Sequence, residues 1–141
     1  MSKYRAKKIT IDGIVFDSKV EAEFYLYLKD KKEKGKIKDF GLQQKFVLQE
    51  SFKKYNKTKR EIAYKVDFVI IHNNGEEECI DIKGYSPEVG NIKRKMFDFK
   101  YPNKKLTWIS KNLKYGNKDG WIEYDELNKK RREAKKAKKA V

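Results

Sequence analysis

Asp67, Asp81 and Lys83 are the residues whose types and spacing could do chemistry. Asp67 sits in an apolar run over 61–71 and Asp81 in a second run over 77–83, joined by His72-Asn73-Asn74-Gly75. Both runs read as β-strands, and the loop between them sets their register. Asp67 and Asp81 lie seven residues either side of Asn74, so a three-residue loop, Asn73-Asn74-Gly75, puts them opposite each other. Gly75 supplies the left-handed position such loops use. The same register sets Phe68 opposite Ile80, Val66 opposite Ile82 and Lys65 opposite Lys83. A two-residue Asn74-Gly75 turn would shift every pair by one and move Asp81 and Lys83 onto the face of Val66 and Phe68. Hydrophobic pairing therefore selects the three-residue loop. Its consequence is two carboxylates meeting in mid-sheet, where Asp is disfavoured and facing like charges are destabilising. A divalent cation would neutralise them, and hard oxygen ligands suit Mg²⁺. An ordinary solvated hairpin face is the alternative.

The elements that must position these residues follow from pattern. Asp12-Gly13 between Ile9–Ile11 and Ile14–Phe16 signals a small hairpin. A helix is expected over 18–34, closed by Gly35, with Val20, Phe24, Tyr27 and Leu28 at helical spacing. Extended runs are expected over 37–40 and 44–49. Over 61–71, Ile62, Tyr64, Val66, Phe68 and Ile70 are expected on one face, with Lys65, Asp67, Val69 and Ile71 on the other. A second helix is expected over 89–101, presenting Ile92, Met96 and Phe99 and stopping at Pro102. A strand over 106–110 and a short extended piece over 121–124 come next, and Asp125 is expected to cap a last basic helix. The succession predicts a mixed α/β fold around a central sheet.

The chain has 141 residues and a formal net charge of +15. Residues 128–141 carry eight cations against Glu133, so two units are expected: 1–127 as a domain and 128–141 as a basic tail. Lys3, Arg5, Lys7 and Lys8 form a smaller basic cluster. With 38% hydrophobic residues and 13% aromatics this is not a disordered polycation. No apolar run approaches the roughly 20 residues of a membrane span, and no signal-peptide core opens the chain. Cys79 is the single cysteine, which excludes an internal disulfide framework and a zinc-finger cluster. The expected setting is a reducing cytoplasm and the expected partner is nucleic acid, not membrane.

Tyr64-Lys65-Val66-Asp67-Phe68, then Asp81-Ile82-Lys83-Gly84, with Asp17-Ser18-Lys19-Val20-Glu21-Ala22 upstream, resembles the PD-(D/E)xK nuclease superfamily. More narrowly, it resembles small phage nucleases described as Holliday-junction-resolvase-like. The likeness spans about 3–110 and leaves out the tail. Val66 stands where the family name has proline. The resemblance implies a restriction-endonuclease-like αβββαβ core, a mixed sheet flanked by helices, here with a basic C-terminal helix. It implies Mg²⁺-dependent phosphodiester hydrolysis, with Mn²⁺ as a substitute. Asp67 and Asp81 would be metal ligands, and Glu21 a further ligand or an acid behind them. Lys83 would orient or help deprotonate the attacking water, or stabilise the transition state. The substrate would be duplex or branched DNA in phage recombination or replication, inside a bacterial host cell. Two-fold junction cutting would call for a homodimer.

Other residues carry two readings each. Ser18-x-x-Glu21 is also a capping box. Glu23, about 200° round the helix from Glu21, is expected in solvent. Lys93 and Lys95 are candidates for contact with the scissile phosphate or members of a solvated helix face. Lys129, Lys130, Arg131, Arg132, Lys135 and Lys136 are expected to bind DNA phosphates. His72 alone supplies no two-histidine metal site, and Cys79 reads as a small strand residue. Tyr85, Phe97 and Trp121 could stack on bases, with core packing the default. The competing function is a non-catalytic basic nucleic-acid-binding module that keeps the nuclease fold. A basic RNA- or ribosome-associated protein is the third reading.

Overall fold

A computed structural model describes residues 7–84 and 88–140; Lys3, Arg5 and Tyr85, singled out above, lie outside the described residues. Asp12 and Gly13 take φ of 55° and 76°, as a two-residue hairpin turn requires. They join β1 (Ile9–Ile11) to β2 (Ile14–Phe16) in antiparallel pairing. Ser18 caps α1 (Lys19–Glu33), its hydroxyl accepting the Glu21 N–H at 3.2 Å. Gly35, at φ 70°, closes it, since its N–H bonds the Lys32 carbonyl and the Lys36 N–H bonds that of Lys31. The Asp12 carboxylate accepts from Tyr25 Oη and Lys29 Nζ, tying the hairpin to the helix.

The chain continues through β3 (Asp39–Leu42), β4 (Lys45–Gln49), β5 (Phe52–Lys54), β6 (Lys57–Lys59), β7 (Ile62–Lys65), β8 (Phe68–Ile71) and β9 (Glu77–Ile82). Then come α2 (Glu88–Lys100), β10 (Lys105–Lys111), β11 (Trp121–Glu123) and α3 (Tyr124–Lys139). Five strands form the central sheet in the order β11-β10-β9-β8-β3. β9 and β10 are parallel, connected through α2, and the other neighbours are antiparallel. The fold is mixed α/β. Without the β1–β2 hairpin, and with β4 to β7 set aside, the chain runs α1-β3-β8-β9-α2-β10, the expected αβββαβ order.

Apolar residues fill both faces of this sheet. Phe24 and Leu28 of α1 pack with Phe68, Ile70, Ile80 and Trp121. On the other face Phe97 of α2 packs with Phe46, Leu48, Tyr64, Val66, Val69 and Cys79. The expected strand over 61–71 is two strands, because the chain turns at Val66-Asp67. Val66 N–H bonds the Gln44 carbonyl and Gln43 N–H bonds that of Asp67, which diverts β7 onto β4 and out of the central sheet. Tyr64 and Val66 therefore lie in the cluster with Phe97, on the opposite side of the sheet from Phe68 and Ile70. The alternation of apolar residues runs unbroken through a point where the backbone changes layers.

Two further expectations are corrected. On α2 the core residue is Phe97, fully buried, while Ile92 and Phe99 are 57% and 89% exposed. Phe97 packs edge-on to Phe46 and beside Tyr64, so α2 is rotated away from Ile92 and Phe99, while Met96 packs against the same cluster as expected. Asp125 does not cap α3, whose N-cap is Glu123 with no side-chain bond. Asp125 instead pairs with Arg94 of α2. The helix α3 runs unbroken through the boundary expected at 127/128, and Leu127 is buried at its base. Phe97 and Trp121 are core, as expected by default.

Candidate active site

The β8–β9 hairpin has the register that hydrophobic pairing selected. Phe68 pairs with Ile80 and Ile71 with Glu77. His72 N–H closes on the Glu76 carbonyl around Asn73-Asn74-Gly75, with Gly75 at φ 90°. One step further along that register, Asp67 stands opposite Asp81. The paired register of β8 and β9 runs to Phe68 and Ile80, and just beyond it the Asp67 carboxylate accepts the Ile82 N–H at 2.8 Å. The pairs expected beyond it do not form. Lys65 pairs with Lys45 on β4, and Lys83 N–H bonds the Ile109 carbonyl on β10. Val66 and Ile82 pack on opposite sides of the sheet. The turn at Val66-Asp67 ends the hairpin once the two aspartates have met.

Asp81 is buried in the centre of the sheet, at 5% exposure. One of its oxygens, Oδ2, accepts from Tyr64 Oη at 2.7 Å and lies 2.9 Å from Lys83 Nζ. Burial, together with a hydrogen bond to and repulsion from Asp81, pushes the Asp67 carboxyl up to about 9. Burial and the Asp81 charge thus both favour the protonated form of Asp67. Glu21, at the start of α1, is raised above its ordinary value by burial first, then by Asp17 and Asp81. An Asp17 backbone N–H and the Lys83 charge act the other way. Glu21 thus lies within electrostatic reach of the pair while its own N–H is bonded to the Ser18 hydroxyl. Among the described residues, no group of three His, Cys, Asp or Glu side chains is close enough to hold a metal ion as it stands.

A second tier of residues holds this centre in place. Trp108 on β10 is directly in register with Asp81 and fully buried. Its indole N–H donates to Tyr64 Oη at 2.8 Å, so a chain of donors runs from Trp108 through Tyr64 to Asp81. Lys83 Nζ and the Arg94 guanidinium lie 5.1 and 4.3 Å from the Trp108 ring centroid. Arg94 in turn grips both oxygens of Asp125 on α3, at 3.0 and 2.5 Å. Ser110 Oγ bonds the Lys83 carbonyl and fixes the strand end. Sequence reasoning placed Tyr64 on the wrong face and passed over Arg94 and Trp108. The spacing of Arg94, Phe97 and Tyr101 on one helical face was a usable signal for Arg94. Trp108 had none, since a parallel neighbour 27 residues away is not visible in a single strand.

The remaining candidates are placed as follows. Lys95 lines a surface groove of about 430 Å³ with Leu48, Ile92, Met96 and Phe99, while Lys93 is half-buried on α2. Arg131 borders a cleft of about 260 Å³ that also contains Ser18, Lys83, Ser110 and Lys111, so the start of the basic helix reaches the site's rim. Lys129, Arg132, Lys135 and Lys136 are exposed along α3, and Lys130 is half-buried. Glu23 is not a free solvent residue, because it pairs with Lys111. His72 bonds Glu78 at 2.9 Å, and Cys79 is buried with its thiol pushed up by burial. Among the described residues no helix is long and apolar enough to cross a membrane.

Residues 1–117 match the family described as "Protein of unknown function (DUF1064)", and the chain belongs to it. No curated protein and no solved structure matches the chain.

Proposed function

We propose that this protein is a divalent-metal-dependent DNA endonuclease that hydrolyses phosphodiester bonds, selective for branched or Holliday-junction DNA. The observation that carries the reading is the meeting of Asp67 and Asp81. A buried carboxylate and a half-buried one in contact repel each other when both are ionised, and a divalent cation between them would relieve that repulsion. Asp67, Asp81 and the nearby Glu21 offer the hard, anionic oxygens that Mg²⁺ or Mn²⁺ takes. Bound there, the cation would lower the pKa of a water molecule and polarise a phosphate oxygen.

The chain's own residues supply the rest. Tyr64 fixes Asp81 by a hydrogen bond, and Trp108 fixes Tyr64. Lys83 keeps a cation at the rim of the pair, where it orients the attacking water or stabilises charge building on the phosphate. Arg131 adds positive charge on the adjoining cleft, where Lys111 is paired with Glu23. A net charge of +15 draws the polyanion in.

The test is nicking of supercoiled plasmid, followed by cleavage of four-way junction, fork, duplex and single strand at equal concentrations. Mg²⁺-dependent cleavage by the wild type, lost in Asp67→Ala and in Asp81→Ala, supports the reading. Wild-type rates in both variants would reject the site. The second reading is a binding module without chemistry. It is favoured by the fact that the described acidic groups do not form a three-ligand cluster and that Lys83 already pairs with Asp81. Under it, the wild type binds DNA and cuts none of the four substrates.

A further inference from the structure

The excursion between β3 and β8 ends in a projection that the site does not use. Gln49 pairs with Ile62, and Phe52, Lys53 and Lys54 pair with Lys59, Thr58 and Lys57, in one continuous register. β4 to β7 therefore form a single β-arm, bent at an irregularity between Val47 and Gln49. Tyr55 and Asn56 make its two-residue tip at φ 53° and 61°.

Residues 51–60 hold five cations, Lys53, Lys54, Lys57, Lys59 and Arg60, and no acid. All ten are exposed. Lys45 at the base of the arm pairs with Glu61. None of the five distal cations meets a carboxylate among the described residues. Lys54 stands directly opposite Lys57, a like-charge pairing that weakens a ladder. Phe52 and Tyr55 are 45% and 85% exposed. An isolated two-stranded ribbon is marginal in water, and this one adds repulsion and bare aromatic surface.

We propose that this ribbon is a DNA-binding arm that seats in the major groove of duplex flanking the site. Alternation puts Lys54, Lys57 and Lys59 on one face and Lys53 on the other. Cations thus point towards both groove walls. The major groove, about 12 Å wide, admits a two-stranded ribbon. With a rise of about 3.3 Å per residue, the ribbon's base is at most about 17 Å from Asp67 and its tip at most about 40 Å. That is roughly one helical turn of duplex. The proposal rests on the nucleic-acid reading above for its ligand, and on neither metal nor cleavage.

The experiment uses the full chain in EDTA and a 30-base-pair duplex, with fluorescence anisotropy at several salt concentrations. Lys53→Gln, Lys54→Gln, Lys57→Gln and Lys59→Gln combined should weaken binding at least tenfold at low salt. They should also flatten the plot of log K against log salt by up to about 3.6, near 0.9 per phosphate contact. In a second measurement, Thr58→Cys adds an exposed thiol, Cys79 being buried, and excess duplex should slow its reaction with a maleimide several-fold. Unchanged affinity and slope in the four-fold variant would overturn the proposal. So would protection of Thr58→Cys by vesicles containing phosphatidylserine but not by duplex. Intact arm behaviour in a protein that cuts nothing would reject the nuclease reading alone. Metal-dependent cutting by a protein whose arm is silent would reject only the arm.

Discussion

Replacing Asp67 by Asn should change how stability depends on pH. The Asp67 carboxyl is raised from an ordinary 3.8 to about 9 in the folded protein. A raised carboxyl binds its proton more tightly in the folded state, so its contribution is fully present below the unfolded value and is lost as pH rises towards 9. Within that window one extra proton on the folded state lowers stability by about 1.4 kcal/mol per pH unit. Between pH 5 and pH 7 the metal-free protein should therefore lose up to about 3 kcal/mol, a fall in Tm of roughly 10 °C for a chain of this size. Glu21 is raised as well and acts in the same direction. Asp12, Asp39, Asp125 and Glu78 are lowered, so their contributions are lost only below pH 5 and leave this window flat. Asn at position 67 keeps an oxygen for the Ile82 N–H and offers Asp81 a permanent donor. Its curve should be nearly level over the same range. The assay is thermal unfolding in EDTA from pH 5 to pH 7, repeated with Mg²⁺, which should level the wild-type curve too. Parallel wild-type and Asp67→Asn curves in EDTA would refute the claim that Asp67 binds its proton more tightly in the folded protein.

Four other outcomes are expected. Tyr64→Phe removes the acceptor of the buried Trp108 N–H and a donor to Asp81, and should cost about 1–3 kcal/mol in urea unfolding; an unchanged midpoint would show that the chain from Trp108 to Asp81 is not holding the site. Ser18→Ala should cost about 1 kcal/mol through the lost cap and leave the cleavage rate alone, while Glu21→Gln should lower the rate without lowering Tm. The opposite pattern would assign Glu21 to the cap. Leu127→Ala should cost about 2–5 kcal/mol, because α3 is anchored on the sheet there; a neutral result would make the helix a detached tail. Removing residues 133–141, beyond that anchor, should flatten the salt dependence of duplex binding by up to about 3.6, for the four lysines lost, with the fold intact.

Several features were legible in the amino-acid order because neighbours alone enforce them. Asp12-Gly13 must turn with positive φ, Ser18 must cap, and Gly35 must close a helix. The three-residue loop at Asn73-Asn74-Gly75 follows from matching Phe68 with Ile80, and that one inference brings Asp67 to Asp81. Local chemistry and period-two alternation carry no information about which layer a strand joins. The alternation from Ile62 to Ile70 is the same whether the chain stays in one sheet or turns at Val66-Asp67. Only the bonds to Gln43 and Gln44 on a distant segment decide it. That decision puts Tyr64 beside Asp81 and frees β4 to β7 to form an arm. Likewise, the apolar stripe of α2 suggested Ile92 and Phe99, yet the face buried is set by Phe46 and Tyr64, which the helix meets on β4 and β7. Trp108 reaches Asp81 through a parallel pairing that closes only after α2 has crossed over. Which acids meet was a matter of local register, whereas what surrounds and holds them depends on contacts between residues far apart in the chain.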